Sequence, residues 1–365
     1  MATIHQSIKP TQIPKIRTRK MTKLTGALAA TALISAAQSV FAQDSSGFSA
    51  ELEIETSAVS TFSADDPAAE LNDAHTEITL GLGLEVGGGF ALFSEVILEQ
   101  VVDPTKDVFF DNHGLYVSEL GLSFSNDAVT VTGGKISPAF GLAWDAAPGF
   151  FGTDVAEDYE LGESIGASVE IPFELSGGEH SVTASVFFAD TSVLSNSTIT
   201  KRGRTNLSDG GAGNTEKLNN FALQFAGAFG DTEYNLSFRQ LSAGVGDVGD
   251  ETGASLGLQH SFDVNGNDLT VLGEVARFEN FGGTADDVTY ATLGAAYTMD
   301  KWTFSTSFTG RDGVAGSNDL LASVGVDYDF GNDLTASFGL SQFDEANQKA
   351  NTVALSVYKA FSFGG

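Results

Sequence analysis

The 365-residue sequence contains no cysteine, which excludes a disulfide framework, a thiolate metal site and a cysteine nucleophile. Positive charge is scarce. There are 18 Lys+Arg against 48 Asp+Glu, a formal charge of −30, which argues against a nucleic-acid partner because phosphates would be repelled. Glycine is abundant at 42 residues but shows no Gly-X-Y period, so a collagen helix is excluded. No run after residue 42 is long and apolar enough to form a membrane helix. What the chain does have is a 42% hydrophobic content, enough to bury substantial surface and to argue against disorder.

Residues 1–42 differ from the rest. They hold Lys9, Lys15, Arg17, Arg19, Lys20 and Lys23 and no acid, then an Ala/Leu-rich stretch from Leu24 to Val40, then Val40-Phe41-Ala42. This three-part layout predicts a cleaved signal peptide over 1–42, opening at Met1 or at Met21, and a mature domain over 43–365. Without the leader the chain keeps 12 of its 18 Lys+Arg and all 48 Asp+Glu, a formal charge of −36.

The mature part alternates with period two. In residues 76–86, Ile78, Leu80, Leu82, Leu84 and Val86 share one face, and Glu77, Thr79, Gly81, Gly83 and Glu85 share the other. A strand separates these sets; a helix would mix them. The pattern predicts sixteen strands, near 47–61, 75–87, 88–102, 113–126, 128–140, 163–175, 181–191, 217–230, 232–243, 253–265, 268–281, 287–300, 301–313, 319–331, 333–346 and 350–363. Tight turns such as Gly87-Gly88-Gly89, Asn265-Gly266-Asn267 and Gly331-Asn332-Asp333 alternate with generally longer links at 62–74, 103–112, 141–162, 192–216, 244–252, 282–286, 314–318 and 347–349. All turns then lie at one end of the sheet and all loops at the other.

One strand face is apolar and nearly free of charge, as in Phe221, Leu223 and Phe225 or Trp302, Phe304 and Phe308. The opposite face is small and polar, as in Thr303, Ser305, Ser307 and Thr309. Export, long strands and aromatics near the turns (Phe90, Phe173, Phe229, Phe330, Phe361) together predict an all-β fold, a transmembrane antiparallel β-barrel of the bacterial outer membrane. Its surroundings would be lipid and lipopolysaccharide, with acidic loop residues such as Asp247, Asp250 and Glu251 placed to recruit bridging cations.

On these features the chain resembles the sixteen-stranded Gram-negative porins. The resemblance is most specific at Gly134-Lys135-Ile136-Ser137-Pro138-Ala139-Phe140-Gly141, which leads into an acidic segment. That run also resembles the siderophore porin family first described for legiobactin uptake. The resemblance implies a water-filled channel for small hydrophilic solutes, a homotrimer, and a third external loop folded inward to narrow the pore. In that loop Asp145, Asp154, Glu157, Asp158, Glu160 and Glu163 are the candidate constriction acids, and Trp144, Phe150, Phe151 and Tyr159 are candidate anchors to the inner wall.

Porins of this class usually oppose the acidic loop with a row of bases on the early strands. Here the corresponding faces carry Glu51, Glu53, Glu55, Glu77, Glu85, Glu95, Glu99 and Glu119, together with His75. Wall bases are few: Lys135, Arg239 and Arg277, with Arg202 and Arg204 in the fourth loop. A lumen with this balance predicts passage of cations.

No motif calls for a cofactor or a metal. Asp263, Asn265, Asn267 and Asp268, with Glu274 at position twelve, nearly match a calcium loop, but Asp268 stands where glycine is needed. None of His75, His113, His180 and His260 lies in a nucleophile motif, so the sequence does not point to an enzyme.

Overall fold

The computed structural model describes residues 47–202 and 205–364. The expected leader over 1–42 and Arg204 lie outside the described residues. Long strands follow one another along the chain: β1 (Phe48–Ala64), β2 (Asn72–Gly87), β3 (Phe90–Gln100), β5 (His113–Asn126), β6 (Val129–Ile136), β7 (Ser164–Leu175), β8 (Gly178–Ala189) and β9 (Asn220–Phe229). The second half adds β10 (Thr232–Leu241), β11 (Glu251–Asp263), β12 (Asp268–Glu279), β13 (Val288–Met299), β14 (Trp302–Asp312), β15 (Asn318–Gly331), β16 (Leu334–Glu345) and β17 (Gln348–Gly364). These sixteen pair antiparallel, each with its sequence neighbour, and β17 closes the ring on β1. A two-residue strand, β4 (Val108–Phe109), runs parallel beside the start of β2.

Each expected strand is present. Three boundaries differ for local reasons. β6 stops at Ile136, not near 140, where Pro138 has no N–H to give to a ladder. The link expected at 347–349 is a two-residue turn, with Ala346 and Asn347 both left-handed. β4 falls inside the link expected to be irregular over 103–112.

Burial is inverted relative to a soluble protein. On β14, Phe304 and Phe308 are 46% and 50% exposed, while Ser305 and Ser307 between them are 7% and 1% exposed. β9 repeats the inversion with Phe221 and Leu223 outside and Ala222 and Gln224 inside. Apolar side chains facing outward and polar ones facing inward suit a barrel surrounded by hydrocarbon, and ring closure leaves no unpaired strand edge. Aromatic rings gather outside near the turns, including Trp302 on Tyr328 and a cluster of Phe173, His180, Phe225, Phe229 and Tyr234. His180 lies near the start of β8, and its Nδ1 meets the Tyr234 hydroxyl at 2.7 Å.

Candidate functional site

The largest buried apolar cluster joins the segment between β6 and β7 to the inner faces of later strands. Phe140, Leu142, Ala143, Val155, Ala156 and Tyr159 pack with Leu272, Ala276, Phe278, Val288 and Tyr290. Polar contacts fix both stems of the segment. At its entry, the Gly141 N–H donates to Ser237 Oγ and the Leu142 and Ala143 N–H groups donate to the two Glu274 carboxylate oxygens at 2.6 and 3.1 Å. At its exit, the Tyr159 hydroxyl donates to Glu274 and Arg239 donates to the Tyr159 carbonyl. Asp158 accepts from the Tyr290 hydroxyl at 3.0 Å and from Arg311 at 2.7 Å.

The tip between these stems reaches further around the wall. A Cβ at Gly294 would lie 2.4 Å from Pro148, and one at Gly339 would lie 2.7 Å from Phe150, so both glycines make room for it. Phe150 and Phe151 stack edge to face and cluster with Val59 and Ala354. Gly339, Ala354 and Val59 lie side by side across β16, β17 and β1, an apolar strip in a mostly polar wall.

The acids of this segment have unlike surroundings. Asp145 lies on a one-turn helix, Ala143–Ala146. Glu157 accepts from Thr153 Oγ1 at 2.8 Å, and Glu160 caps the 3-10 turn Ala156–Tyr159 through its N–H. Asp154 is partly exposed as a residue, but its Oδ1 is sealed and has no hydrogen-bond partner; burial pushes its carboxyl up to about 7. Burial, followed by the charge of Glu274, pushes the Tyr159 hydroxyl well above the usual tyrosine range. Burial also pushes Glu163 up, but Arg202 and Lys135 outweigh it and hold that carboxyl below the usual range.

The early wall is acidic in register. Glu51 lies opposite Gly81, Gly81 opposite Glu95, and Glu95 opposite Glu119, one lateral row across four strands. Glu55 lies opposite Glu77 in a second row, and Glu53 opposite Thr79. Glu95 accepts from Ser118 at 2.8 Å and Glu99 from the Tyr116 hydroxyl at 2.7 Å.

The described bases near the wall are occupied, and Arg202 lies close enough to Glu99 to feel its charge. Lys135 Nζ is fully buried, 2.7 Å from Glu163 and 3.0 Å from Asp190, and also donates to Ser195 Oγ and the Val117 carbonyl. Arg202 donates to Glu163 and lies 3.6 Å over the Tyr116 ring, which ties the fourth loop to the root of the third. Arg239 is buried against Glu251, with Phe140 and Phe278 on its faces. Arg277, expected on the wall, instead shares the outward parity of Val271 and Val275 on β12 and sits exposed beside Asp287 and Thr289.

Sequence reasoning missed two residues that hold the segment. Glu274 was noticed only as a failed calcium ligand, and Arg311 was not singled out. Arg311 joins Asp158, Asp319 and Glu345. The available signal was parity: each is an isolated charge on its strand's inner face, Arg311 among Thr303, Ser305, Ser307 and Thr309, and Glu274 among Thr270, Leu272, Ala276 and Phe278.

Residues 26–360 match the model of the Gram-negative porin family. The fold is similar to OprB of Pseudomonas putida, with a TM-score of 0.64, 10% identity, and coverage of 87% of this chain and 94% of that one. It is similar to the outer membrane channel DcaP of Acinetobacter baumannii, with a TM-score of 0.58, 11% identity, and coverage of 87% and 99%. An anion-selective porin from Comamonas acidovorans matches with a TM-score of 0.53, 14% identity, and coverage of 86% and 98%. At these identities the likeness concerns the fold alone. No curated protein matches the chain. A closed ring of sixteen strands, an apolar outer face and a family match over most of the length agree on one assignment: the chain is an outer-membrane barrel and belongs to the Gram-negative porin family.

Proposed function

We propose that the protein is a cation-selective diffusion channel for small hydrophilic solutes, narrowed by the segment between β6 and β7. The observation that carries this is the pairing of the inward-facing bases. Lys135, Arg239 and Arg311 are each buried and each tied to at least one carboxylate. Glu51, Glu53, Glu55, Glu77, Glu95, Glu99 and Glu119 line the early strands, with no described Lys or Arg among them. The net field in the lumen is therefore negative, concentrating cations and repelling anions, most strongly at low salt where screening is weak. Asp145, Asp154, Glu157 and Glu160 add to that field from the segment itself, whereas Asp158 and Glu163 are offset by Arg311 and by Lys135 and Arg202, and Asp154 contributes fully only above about pH 7.

The test is the reversal potential of single channels in a potassium chloride gradient. Cation preference is expected, reduced when Glu95, Glu99, Asp154 and Glu157 are changed to Gln or Asn. Anion preference, or selectivity unmoved by the four substitutions, would place the ion path elsewhere.

A further inference from the structure

Where β6 stops, β5 continues. Leu120 faces Lys135 at the end of the β5–β6 ladder, and from there β5 extends to His113 with only β3 beside it as a strand. Such an edge presents carbonyls and amides without ladder partners. Residues 195–202 of the fourth loop lie along it. The Thr198 and Thr200 N–H groups donate to the Leu115 and His113 carbonyls at 2.9 and 3.0 Å, and the Leu115 N–H donates to Ser197 Oγ at 3.0 Å. Lys135 Nζ takes the Val117 carbonyl at 2.6 Å. The bonds from 198 to 115 and from 200 to 113 run in antiparallel order, as β6 does lower on the same edge. A Cβ at Gly114 would lie 2.5 Å from Ser197 Oγ, so that glycine makes room for the loop. The fourth loop thus completes the wall as a surrogate strand.

That strap ends on Arg202. Its Nε donates to the Ser195 carbonyl at 3.0 Å, its Nη2 donates to Glu163, and its guanidinium carbon lies 3.6 Å from the centre of the Tyr116 ring. The Tyr116 hydroxyl donates to Glu99 at 2.7 Å. The guanidinium therefore stands on the inner side of the wall, between a wall acid and the acid at the root of the third loop. It is also the inner base most open to solvent. The side chains of Lys135, Arg239 and Arg311 are 0%, 3% and 8% exposed, against 16% for Arg202 and 24% for Glu163. A charge in contact with water acts on passing ions within about a Debye length of it.

We propose that Arg202 sets the degree of ion selectivity: the fourth loop carries it to the inner wall, where it offsets Glu163 and Glu99 and holds the cation preference below what the acids alone would give. This role deepens the cation-selective channel and rests on that reading. Ser197, Thr198 and Thr200 are positioning residues, because their bonds to β5 fix where the guanidinium stands. The ring of Tyr116 holds its flat face by cation–π attraction, and the Glu163 carboxylate holds its edge. A base carried on a wall-forming loop is placed as firmly as one on a strand, so its charge belongs to the lumen and not to the external solvent.

The test reads reversal potentials of the full barrel in planar bilayers, in a potassium chloride gradient near about 0.1 M, where the Debye length is about 10 Å. Arg202→Gln is expected to raise the potassium-over-chloride permeability ratio about twofold, because one unit charge felt across a Debye length of water favours one ion and disfavours the other. Glu163→Gln is expected to lower the ratio by a similar factor, and the double variant to return it to the parent value. Arg202→Lys keeps the charge and is expected to keep the ratio. The two single variants move in opposite directions, so the result does not depend on one variant folding. A strap with a structural role alone would lower the unfolding temperature, and both single variants would then leave the ratio unmoved or shift it the same way. Either outcome overturns the role of Arg202, and with cation preference in the parent the channel assignment stands. Anion preference in the parent overturns the selectivity reading and the proposal with it.

Discussion

The carboxylate of Glu274 accepts the hydroxyl of Tyr159 across 115 residues of sequence. The same carboxylate receives the Leu142 and Ala143 amides, so one side chain on β12 gathers the entry and exit of the segment between β6 and β7.

Glu274→Ala is therefore expected to release both stems. Each buried donor left without an acceptor costs about 1–3 kcal/mol, and three are left here. The barrel ring does not depend on this residue, so folding should survive. Limited proteolysis of the folded protein is the check: new cuts are expected within 142–160, together with noisier single-channel currents. An unchanged digest would show that apolar packing alone holds the segment.

Leu80 and Gly81 are adjacent on β2 but face opposite ways. Leu80→Arg sets a charge against hydrocarbon, at a cost of roughly 2–4 kcal/mol near the midplane. At Gly81 an added Cβ meets only the Glu51 carbonyl oxygen, at 3.9 Å, and an arginine there has acids on both sides. Refolding yield into lipid should fall for the first variant and much less for the second. Ser305 is a poorer inward comparator, because a Cβ at Gly149 would lie 2.9 Å from its hydroxyl and a larger side chain would strike the segment.

Asp154 gives a pH signature with a definite sign. Its folded-state value, about 7, is raised from an ordinary value of 3.8. Between those limits the folded chain keeps a proton that the unfolded chain has released, so this group's contribution to stability falls as pH rises through that window. Asp154→Asn removes the dependence. Heat-induced unfolding in detergent should show the variant more resistant than the parent at pH 8 and equal to it at pH 4. Equal resistance at both values would contradict the burial of this carboxyl.

Lys135→Met leaves Glu163 and Asp190 without the buried cation between them. Removing one partner of such a pair costs about 3–5 kcal/mol, here toward the lower end because Arg202 remains on Glu163. A lower unfolding temperature is expected, with faster cleavage after Lys201 as the fourth loop loosens. Lys135→Arg should restore part of the loss.

Sequence alone determined which residues lie on strands and, for most strands, which face each one takes; the bulge at Ser118 and Glu119 on β5 switches parity, and Arg277 faces outward. Period-two alternation is a local property of the extended backbone, so Leu80 and Gly81, or Phe304 and Ser305, could be assigned to opposite faces without knowing any neighbour. Turn residues with accessible left-handed conformations marked the ends, as at Gly87, Gly88 and Gly89, whose φ values are +88°, +66° and +84°. Charge was legible in the same way, because the acids of β1 to β5 fall on one parity.

Tertiary structure decided what each inward side chain meets. Lateral register sets Glu51, Glu95 and Glu119 in one row and Ser356, Ser57 and His75 in another, and it depends on how far each strand slides past the next. A slide of two residues keeps every face and changes every partner. The loop contacts are more remote still: nothing local to Glu274 indicates Tyr159, and nothing near Lys135 indicates Asp190. Those pairings exist because ring closure encloses the segment after β6 among strands that are synthesised later, where burial makes each unpaired polar group costly enough to select its partner.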